Sequence, residues 1–214
     1  GRYAEVDSIP EGVRRTLLDP VIAAGDLPLA ARLMAGLDEP PPGADRVMWR
    51  LRQARVMLLG GDYPRAEAVL REMIGNSARL SRQELDRLIQ VIFDLQTVGE
   101  HEAAFRLLED LQTQVADMQL QRELWYWMAD SRLAQSRPLE AAALYLRSAM
   151  VPLPQSLDPW GQTARYQAAQ ALAKAGLTAD ARTLYEELLR TTDDPGRRAV
   201  LRRDLQQLLL VRPQ

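Results

Sequence analysis

Gly61-Asp-Tyr-Pro-Arg-Ala66, with Leu70 four residues beyond it, is one copy of a motif that occurs five times in this chain. Each copy has a small residue at a turn, then polar or Pro residues, an Ala, and a larger apolar residue one helical turn on. The turn residues lie 36, 38, 37 and 40 residues apart, a regularity that indicates a structural repeat. They are Gly25, Gly61, Gly99, Ser136 and Gly176.

The chemistry of the motif predicts a pair of helices around each turn. The Gly ends the first helix because it tolerates a left-handed backbone. Pro28, Pro64 and Pro138 fall in the first turn of the second helix, where a missing N–H costs little. The small Ala lets two antiparallel helices approach closely, and the residue four positions later fills the space beside it on the same face.

The segments around the motifs carry helix-start signals. Ser81-Arg-Gln-Glu84 reads as a capping box, and the apolar stripe that follows it has helical spacing. Asp158-Pro159 predicts the start of a helix that runs to about Lys174, while Pro20 predicts an interruption of the first helix. The stripe consists of Leu88, Val91, Ile92 and Leu95.

A last helix is predicted after the fifth motif, beginning at Asp194-Pro195. Apolar residues are expected on one side of it, which suits the capping helix that a repeat array requires. These residues are Val200, Leu201, Leu205, Leu208 and Leu209.

The repeated unit resembles the tetratricopeptide repeat (TPR), and the fourth copy matches best. Its first helix has Trp125 at the first aromatic place and Met128-Ala129 at the Leu-Gly pair, and its second helix has Ala141 and Tyr145. Pro152 and Pro154 stand near the closing Pro of the family pattern. The chain departs from the family in having longer repeats than the usual ~34 residues. It also has Ile92 where a small residue is usual, and Arg50 and Gln53 where apolar residues are usual.

The resemblance implies an all-α, right-handed superhelical solenoid of about five antiparallel helix pairs and a C-terminal capping helix. We expect a single domain spanning residues 1–214. Its units are predicted at about 9–38, 44–76, 81–118, 119–152 and 158–192, with the capping helix at 195–210. Val151–Pro159 is expected to form an ordered surface loop.

Composition argues against catalysis. The net charge is −2, cysteine is absent, and His101 is the only histidine, expected to be solvated in a turn. A Ser-His-Asp triad or a zinc site would depend on that one side chain. The sequence therefore predicts no enzyme activity, cofactor or metal, and it has no apolar run of the ~20 residues that span a bilayer. Because the first residue is Gly1 and not Met, we expect that the chain was trimmed or processed, which would also have removed any targeting segment.

The TPR resemblance further implies a protein or peptide partner in a concave groove lined by the first helices. The predicted groove combines aromatic, apolar and scattered polar residues, which suits an extended peptide or a partner helix. Its residues are Arg55, Ile89, Phe93, Glu123, Tyr126, Asp130, Tyr166, Gln170 and Lys174. Tyr126 and Tyr166 can alternatively pack between adjacent repeats, and Trp125 and Trp127 are expected in the core.

A looser resemblance, to bacterial envelope TPR proteins such as the periplasmic scaffolds of exopolysaccharide export, favours the periplasm or envelope over the cytoplasm. Two alternative functions remain open. One is a structural spacer within a longer repeat protein. The other is contact with nucleic acid or lipid through the last helix, although the acidic balance of the chain disfavours nucleic acid. The oligomeric state is not predicted. The basic face of that helix consists of Arg197, Arg198, Arg202 and Arg203.

Overall fold

The computed structural model describes residues 6–151 and 158–210 of the chain. Within these ranges the chain forms eleven α-helices and no β-strand, with short 3₁₀ helices at Val6–Ser8 and Ser77–Arg79. The helices are α1 Glu11–Ala23, α2 Leu27–Met34, α3 Arg46–Leu59, α4 Tyr63–Gly75, α5 Arg82–Thr97, α6 His101–Gln114, α7 Met118–Ala134, α8 Pro138–Ala149, α9 Pro159–Lys174, α10 Thr178–Thr191 and α11 Pro195–Leu210.

The helices fall into two compact units, Gly1–Gln114 with α1 to α6 and Val115–Gln214 with α7 to α11. In the first unit α1 contacts α2, α2 contacts α3, and α3 contacts α4; α5 contacts both α3 and α6, and α4 also contacts α6. In the second unit each helix contacts the next one along the chain, from α7 to α11. Helices that contact each other across short turns run antiparallel. The predicted all-α repeat fold is confirmed, whereas the single domain and the bounds of its units stay predictions.

The five motif turns all have the predicted left-handed backbone. Their φ angles are +77° at Gly25, +86° at Gly61, +89° at Gly99, +58° at Ser136 and +80° at Gly176. Each turn is followed by an Ala with no exposed surface and by a buried larger residue one turn later. The five Ala residues are Ala30, Ala66, Ala104, Ala141 and Ala181, and the larger residues are Met34, Leu70, Leu108, Tyr145 and Tyr185.

The helix starts also agree with the sequence. Ser81 and Glu84 form both bonds of a capping box, with the Ser81 N–H donating to Glu84 Oε2 at 2.6 Å. Asp158 caps α9 by accepting a hydrogen bond from Gly161 N at 2.6 Å. Pro28, Pro64 and Pro138 each occupy the first turn of a second helix.

Two polar residues occupy the positions of α3 where the repeat pattern calls for apolar ones. Gln53 is buried and its Nε2 donates to the Met34 carbonyl at 3.3 Å. Arg50 donates to Gln53 Oε1 at 2.6 Å and forms ion pairs with Asp38 and Glu72. A hydrogen-bonded polar group can replace an apolar contact because its donors and acceptors are satisfied.

Two predictions about helix faces and continuity were wrong. Pro20 does not interrupt the first helix, since α1 continues through it to Ala23; a Pro removes one backbone donor without removing the flanking bonds. On α11, Val200 and Leu209 are exposed, whereas Leu201 is buried and Leu205 and Leu208 are half-buried. Residues 201, 205 and 208 form the narrow stripe that faces neighbouring helices, and 200 and 209 lie to either side of it.

The sequence also predicted the burial of two tryptophans, the exposure of His101 and an ordered loop before α9. Trp125 is buried and Trp127 is half-buried. His101 is the first residue of α6 and half-buried, with a buried Nδ1 that has no hydrogen-bond partner among the described residues, so the prediction of a solvated side chain was wrong. Pro152 and Pro154, and most of the predicted loop Val151–Pro159, lie outside the described residues.

Candidate interaction surface

In the first unit, the predicted groove residues lie on α3 and α5, which contact each other. Arg55 is exposed and its Nε lies 2.8 Å from Asp94 Oδ2. Phe93 is half-buried, and Ile89, at 7% exposure, has little surface to offer a partner. A shallow cleft of about 190 Å³ lies between these helices, with Met48, Leu51, Arg52, Arg55, Arg87, Gln90 and Val91 around it.

In the second unit, Tyr126 belongs to an aromatic cluster. Its ring centroid lies 5.2 Å from that of Tyr145, 5.2 Å from that of Trp160 and 5.3 Å from that of Trp127. Such edge-to-face and tilted pairs stabilise the contact between helices. Burial raises the pKa of Tyr126 above its usual value, and the negative charge of Asp130 raises it further.

Asp130 lies one helical turn after Tyr126 and is half-buried. Its carboxylate accepts a hydrogen bond from the Tyr145 hydroxyl. Burial raises the pKa of Asp130, and this hydrogen bond opposes the effect only in part. Glu123, one turn before Tyr126, is also half-buried. The α7 groove positions therefore carry two half-buried carboxyl groups, one about a helical turn before Tyr126 and one about a turn after it.

The α9 groove positions form a hydrogen-bond chain that ends on α11. Gln170 Nε2 donates to the Tyr166 hydroxyl at 2.8 Å, and that hydroxyl donates to Asp204 Oδ2 at 2.6 Å. Arg203 binds the other oxygen of Asp204, with its Nη2 at 2.9 Å. Burial, helped by Asp204, raises the pKa of Tyr166 to about 12. Tyr166 thus ties α9 to α11 within the second unit.

A cavity of about 480 Å³ opens among α9, α10 and α11, beside this hydrogen-bond chain. Two of the predicted groove residues, Gln170 and Lys174, lie on its wall, and Lys174 is exposed. Cavities that bind ligands usually have about this volume. The cavity is lined by Gln170, Ala173, Lys174, Thr178, Tyr185, Arg203, Asp204, Gln207 and Leu208.

The sequence did not identify the residues that α10 and α11 contribute to this cavity. In the sequence, nothing distinguishes these residues from other polar residues of amphipathic helices. They are Thr178, Arg203, Asp204 and Gln207. Arg203, Asp204 and Gln207 face the cavity because the burial of Leu201 fixes the rotation of α11. Thr178 borders it from the start of α10. No motif in the sequence could have signalled this.

A metal site would need a cluster of ligating side chains, and a membrane span would need a long apolar helix. Among residues 6–151 and 158–210, no group of three or more His, Asp or Glu side chains is arranged to hold a metal ion. In the same ranges none of the helices combines the length and the apolar character that crossing a bilayer requires.

Comparison with known proteins gives a likeness in fold. No family model matches the chain, and no curated protein matches it significantly. Among solved structures, it is similar to the kinesin light chain-like protein of Podosopora anserina, whose TPR-like repeats are nearly identical. The identity is 16% and the TM-score 0.51, over 85% of this chain and 96% of that chain. For a single-substitution variant of the same protein, the identity is 16% and the TM-score 0.50, over 91% and 95%. The chain therefore has a TPR-like helical-repeat fold.

Proposed function

We propose that this chain is a non-enzymatic scaffold that binds a peptide or a helix of a partner protein along the first helices of its repeats. The TPR-like fold supports this proposal, because stacked helix pairs expose rows of side chains that suit extended partners. Fold alone does not define a function, so the proposal rests on the site.

The single observation that carries the proposal is the cavity beside α9. Gln170 and Lys174 occupy positions that line the groove in TPR proteins, and both border a cavity of about 480 Å³. A capping helix that only shielded the last repeat would be expected to close this space with apolar side chains. Here α11 presents Arg203, Asp204 and Gln207 to the open cavity beside the apolar Leu208.

Tyr126 and Tyr166 have a different part in the proposed surface. Both are half-buried and bonded to neighbouring helices, so each supports the surface and offers a partner only its exposed edge. Lys174, whose side chain is exposed, would make direct contacts, and Gln170, which is half-buried and donates to Tyr166, would support the same surface. Glu123, Asp130, Arg55, Phe93 and Ile89 complete the proposed set, with Ile89 acting as buried support.

The alternative function, in which α11 contacts nucleic acid or lipid, has less support than the scaffold function. The reason is that most of the α11 arginines are already bonded within the unit. Arg197 donates to Gln162, and Arg198 donates to the backbone carbonyls of Leu189 and Thr192 at 2.8 and 3.0 Å. Arg203 is paired with Asp204. Three of the four guanidinium groups are thus engaged within the unit, whereas binding to phosphates would need several free ones.

The test blocks the cavity without disturbing the core. Gln207 borders the cavity and Gln206 does not, and both are exposed on α11. Gln207→Trp places a large ring over the cavity, and Gln206→Trp adds the same ring elsewhere on the same helix. Tagged parent and variant chains would be incubated with extract of the native host, cross-linked and analysed by mass spectrometry, after circular dichroism has shown equal helix content.

A protein captured by the parent and by Gln206→Trp, and lost with Gln207→Trp, is the expected result. Equal capture by all three chains would refute binding at this cavity, and capture of nothing by any chain would favour the spacer.

We further propose that the partner belongs to a bacterial envelope assembly. The identity of the captured protein tests this second point, and a cytoplasmic partner would contradict it.

A further inference from the structure

Asp130 is a half-buried carboxylate that lacks a counter-ion. Its Oδ1 accepts a hydrogen bond from the neutral Tyr145 hydroxyl, and no basic side chain of the described residues forms an ion pair with it. Removing a carboxylate from water is costly unless a positive charge or several hydrogen bonds compensate for the loss. One hydroxyl donor compensates only in part, which agrees with the raised pKa that burial gives to Asp130.

Other carboxylates at a similar depth do have a counter-ion within the chain. Asp94 Oδ2 lies 2.8 Å from Arg55 Nε, and Asp204 Oδ1 lies 2.9 Å from Arg203 Nη2. Asp130 departs from this pattern, although it occupies a predicted groove position on α7. The difference indicates that its counter-ion is supplied from outside the chain.

The surroundings of Asp130 are aromatic. Tyr126 lies one helical turn before it, close enough for the negative charge of Asp130 to raise the pKa of the Tyr126 hydroxyl. The Tyr126 ring contacts those of Trp127, Tyr145 and Trp160. Aromatic rings attract cations to their electron-rich faces. A carboxylate beside such rings therefore favours a positively charged ligand.

The second unit contains the same combination of groups at another place, where an arginine of the chain completes it. The guanidinium group of Arg122 binds the Asp158 carboxylate and also lies 5.9 Å from the ring centroid of Trp160. At Asp130 the carboxylate and the neighbouring rings are present, but no guanidinium group of the described residues is paired with them.

We propose that Asp130, together with the rings around Tyr126, binds an arginine side chain of the partner segment. A guanidinium group suits a half-buried site better than an ammonium group, because it is planar and more weakly hydrated and can stack on aromatic rings. Its N–H groups would donate to Asp130 Oδ2, which accepts no hydrogen bond from the described residues. This inference rests on the proposed function and specifies the partner chemistry at the α7 part of the same surface.

The first measurement uses synthetic peptides, because the partner is unidentified. Fluorescent peptides of repeated Ala-Leu-Arg are titrated with the full chain and followed by anisotropy, beside matched peptides with Lys or citrulline in place of Arg. Citrulline has nearly the shape of Arg but carries no charge. The expected order of affinity is Arg, then Lys, then citrulline. Equal affinity for the Arg and citrulline peptides, tighter binding of the Lys peptide, or no binding of the Arg peptide would overturn the inference.

Asp130→Asn tests the residue itself, because the Asn oxygen still accepts the Tyr145 hydroxyl. It is expected to weaken binding of the Arg peptide about tenfold, the effect of losing one hydrogen bond between charged groups, and to leave binding of the citrulline peptide unchanged. Circular dichroism would first show that the helix content equals that of the parent. Added salt should reduce the difference between the parent and the variant.

Glu187→Gln is the matched control. It also removes one negative charge from the second unit, at an exposed site on α10. It should leave the affinity for the Arg peptide unchanged. An equal loss in Glu187→Gln and Asp130→Asn would mean that net charge explains the binding, and would overturn the arginine site.

A second measurement separates this inference from the proposed function. The complex captured from extract is expected to be lost with Gln207→Trp and weakened with Asp130→Asn. A complex that is lost with Gln207→Trp but forms normally with Asp130→Asn would leave the scaffold function standing and overturn the arginine site. A complex that is indifferent to both variants would overturn both.

Discussion

The guanidinium group of Arg122 binds both carboxylate oxygens of Asp158, with Nη2 lying 2.6 Å from Oδ1. Arg122 is 1% exposed, and its Nε also donates to the Ser148 carbonyl at 3.2 Å. Asp158 at the same time caps α9 through Gly161 N. The Arg122 guanidinium group thus connects α7 to α8 through a hydrogen bond and to the start of α9 through an ion pair.

Loss of either partner should destabilise the second unit, but not equally. Asp158→Ala leaves a buried guanidinium without its counter-ion and removes the cap, so we expect a loss of about 3–5 kcal/mol in the free energy of unfolding. Arg122→Met leaves a carboxylate that is 36% exposed and still caps α9, so the loss should be smaller, about 1–2 kcal/mol. Urea denaturation followed by circular dichroism measures both. A larger loss for Arg122→Met would contradict this account.

Asp130→Asn should change the pH dependence of stability. Burial raises the folded pKa of Asp130 above its ordinary 3.8, so its contribution is fully present below that value and is lost as the pH rises through the folded pKa. The Asn oxygen still accepts the Tyr145 hydroxyl but carries no charge. We expect a higher Tm at neutral pH and a flatter Tm profile above pH 3.8. A variant that keeps the parent profile, or melts earlier at neutral pH, would show that the buried charge is not costly.

Gly60→Ala should be strongly destabilising because α2 passes directly over Gly60. A Cβ atom there would lie 2.5 Å from the Leu27 carbonyl oxygen and 2.6 Å from Ala31 Cβ. Relieving this overlap requires a shift of backbone, so we expect a loss of about 2–3 kcal/mol. Gly75→Ala is the control, since a Cβ there meets nothing within 4 Å; it should stabilise α4 by about 0.5–1 kcal/mol. Thermal melts of both variants measure these opposite effects on stability. Equal Tm values for the two variants would contradict the prediction.

Ser136→Gly should stabilise the fourth turn. Ser136 adopts φ +58°, where the other four motif turns have Gly, and a side chain in this region is strained. We expect a gain of about 0.5–1 kcal/mol, with Gly99→Ser costing a similar amount at the equivalent turn. Chemical denaturation of the two variants measures this pair of opposite effects. Changes of the same sign would mean that the side chain of Ser136 contributes something other than strain.

Much of the fold could be predicted because its signals are local. The left-handed turns, the Ala residues without exposed surface and the capping box at Ser81 each depend on residues within one or two helical turns. Buried polar residues escaped prediction because their partners are distant in sequence. Arg122 is 36 residues from Asp158, and Gln53 is 19 residues from Met34.

The candidate site could be predicted only in part, because some of its residues follow from local helix positions and others depend on packing between distant helices. Gln170 and Lys174 follow from helix positions, whereas Arg203 and Asp204 depend on how α11 rotates against its neighbours. That rotation is set by which leucine is buried. The sequence predicted that five apolar residues share one face of α11. The structure instead buries Leu201 and leaves Leu209 60% exposed.

The short motif turns also have a kinetic consequence. Because each turn joins two helices that contact each other, the chain encloses only a small loop when a pair forms, and the entropy lost is low. Proteins dominated by such local contacts fold fast, and in repeat arrays folding can begin at more than one pair. We therefore expect ribosomal synthesis to be slower than the pairing of α1 with α2 and of α3 with α4, so that folding of the first unit proceeds while later helices are still being made.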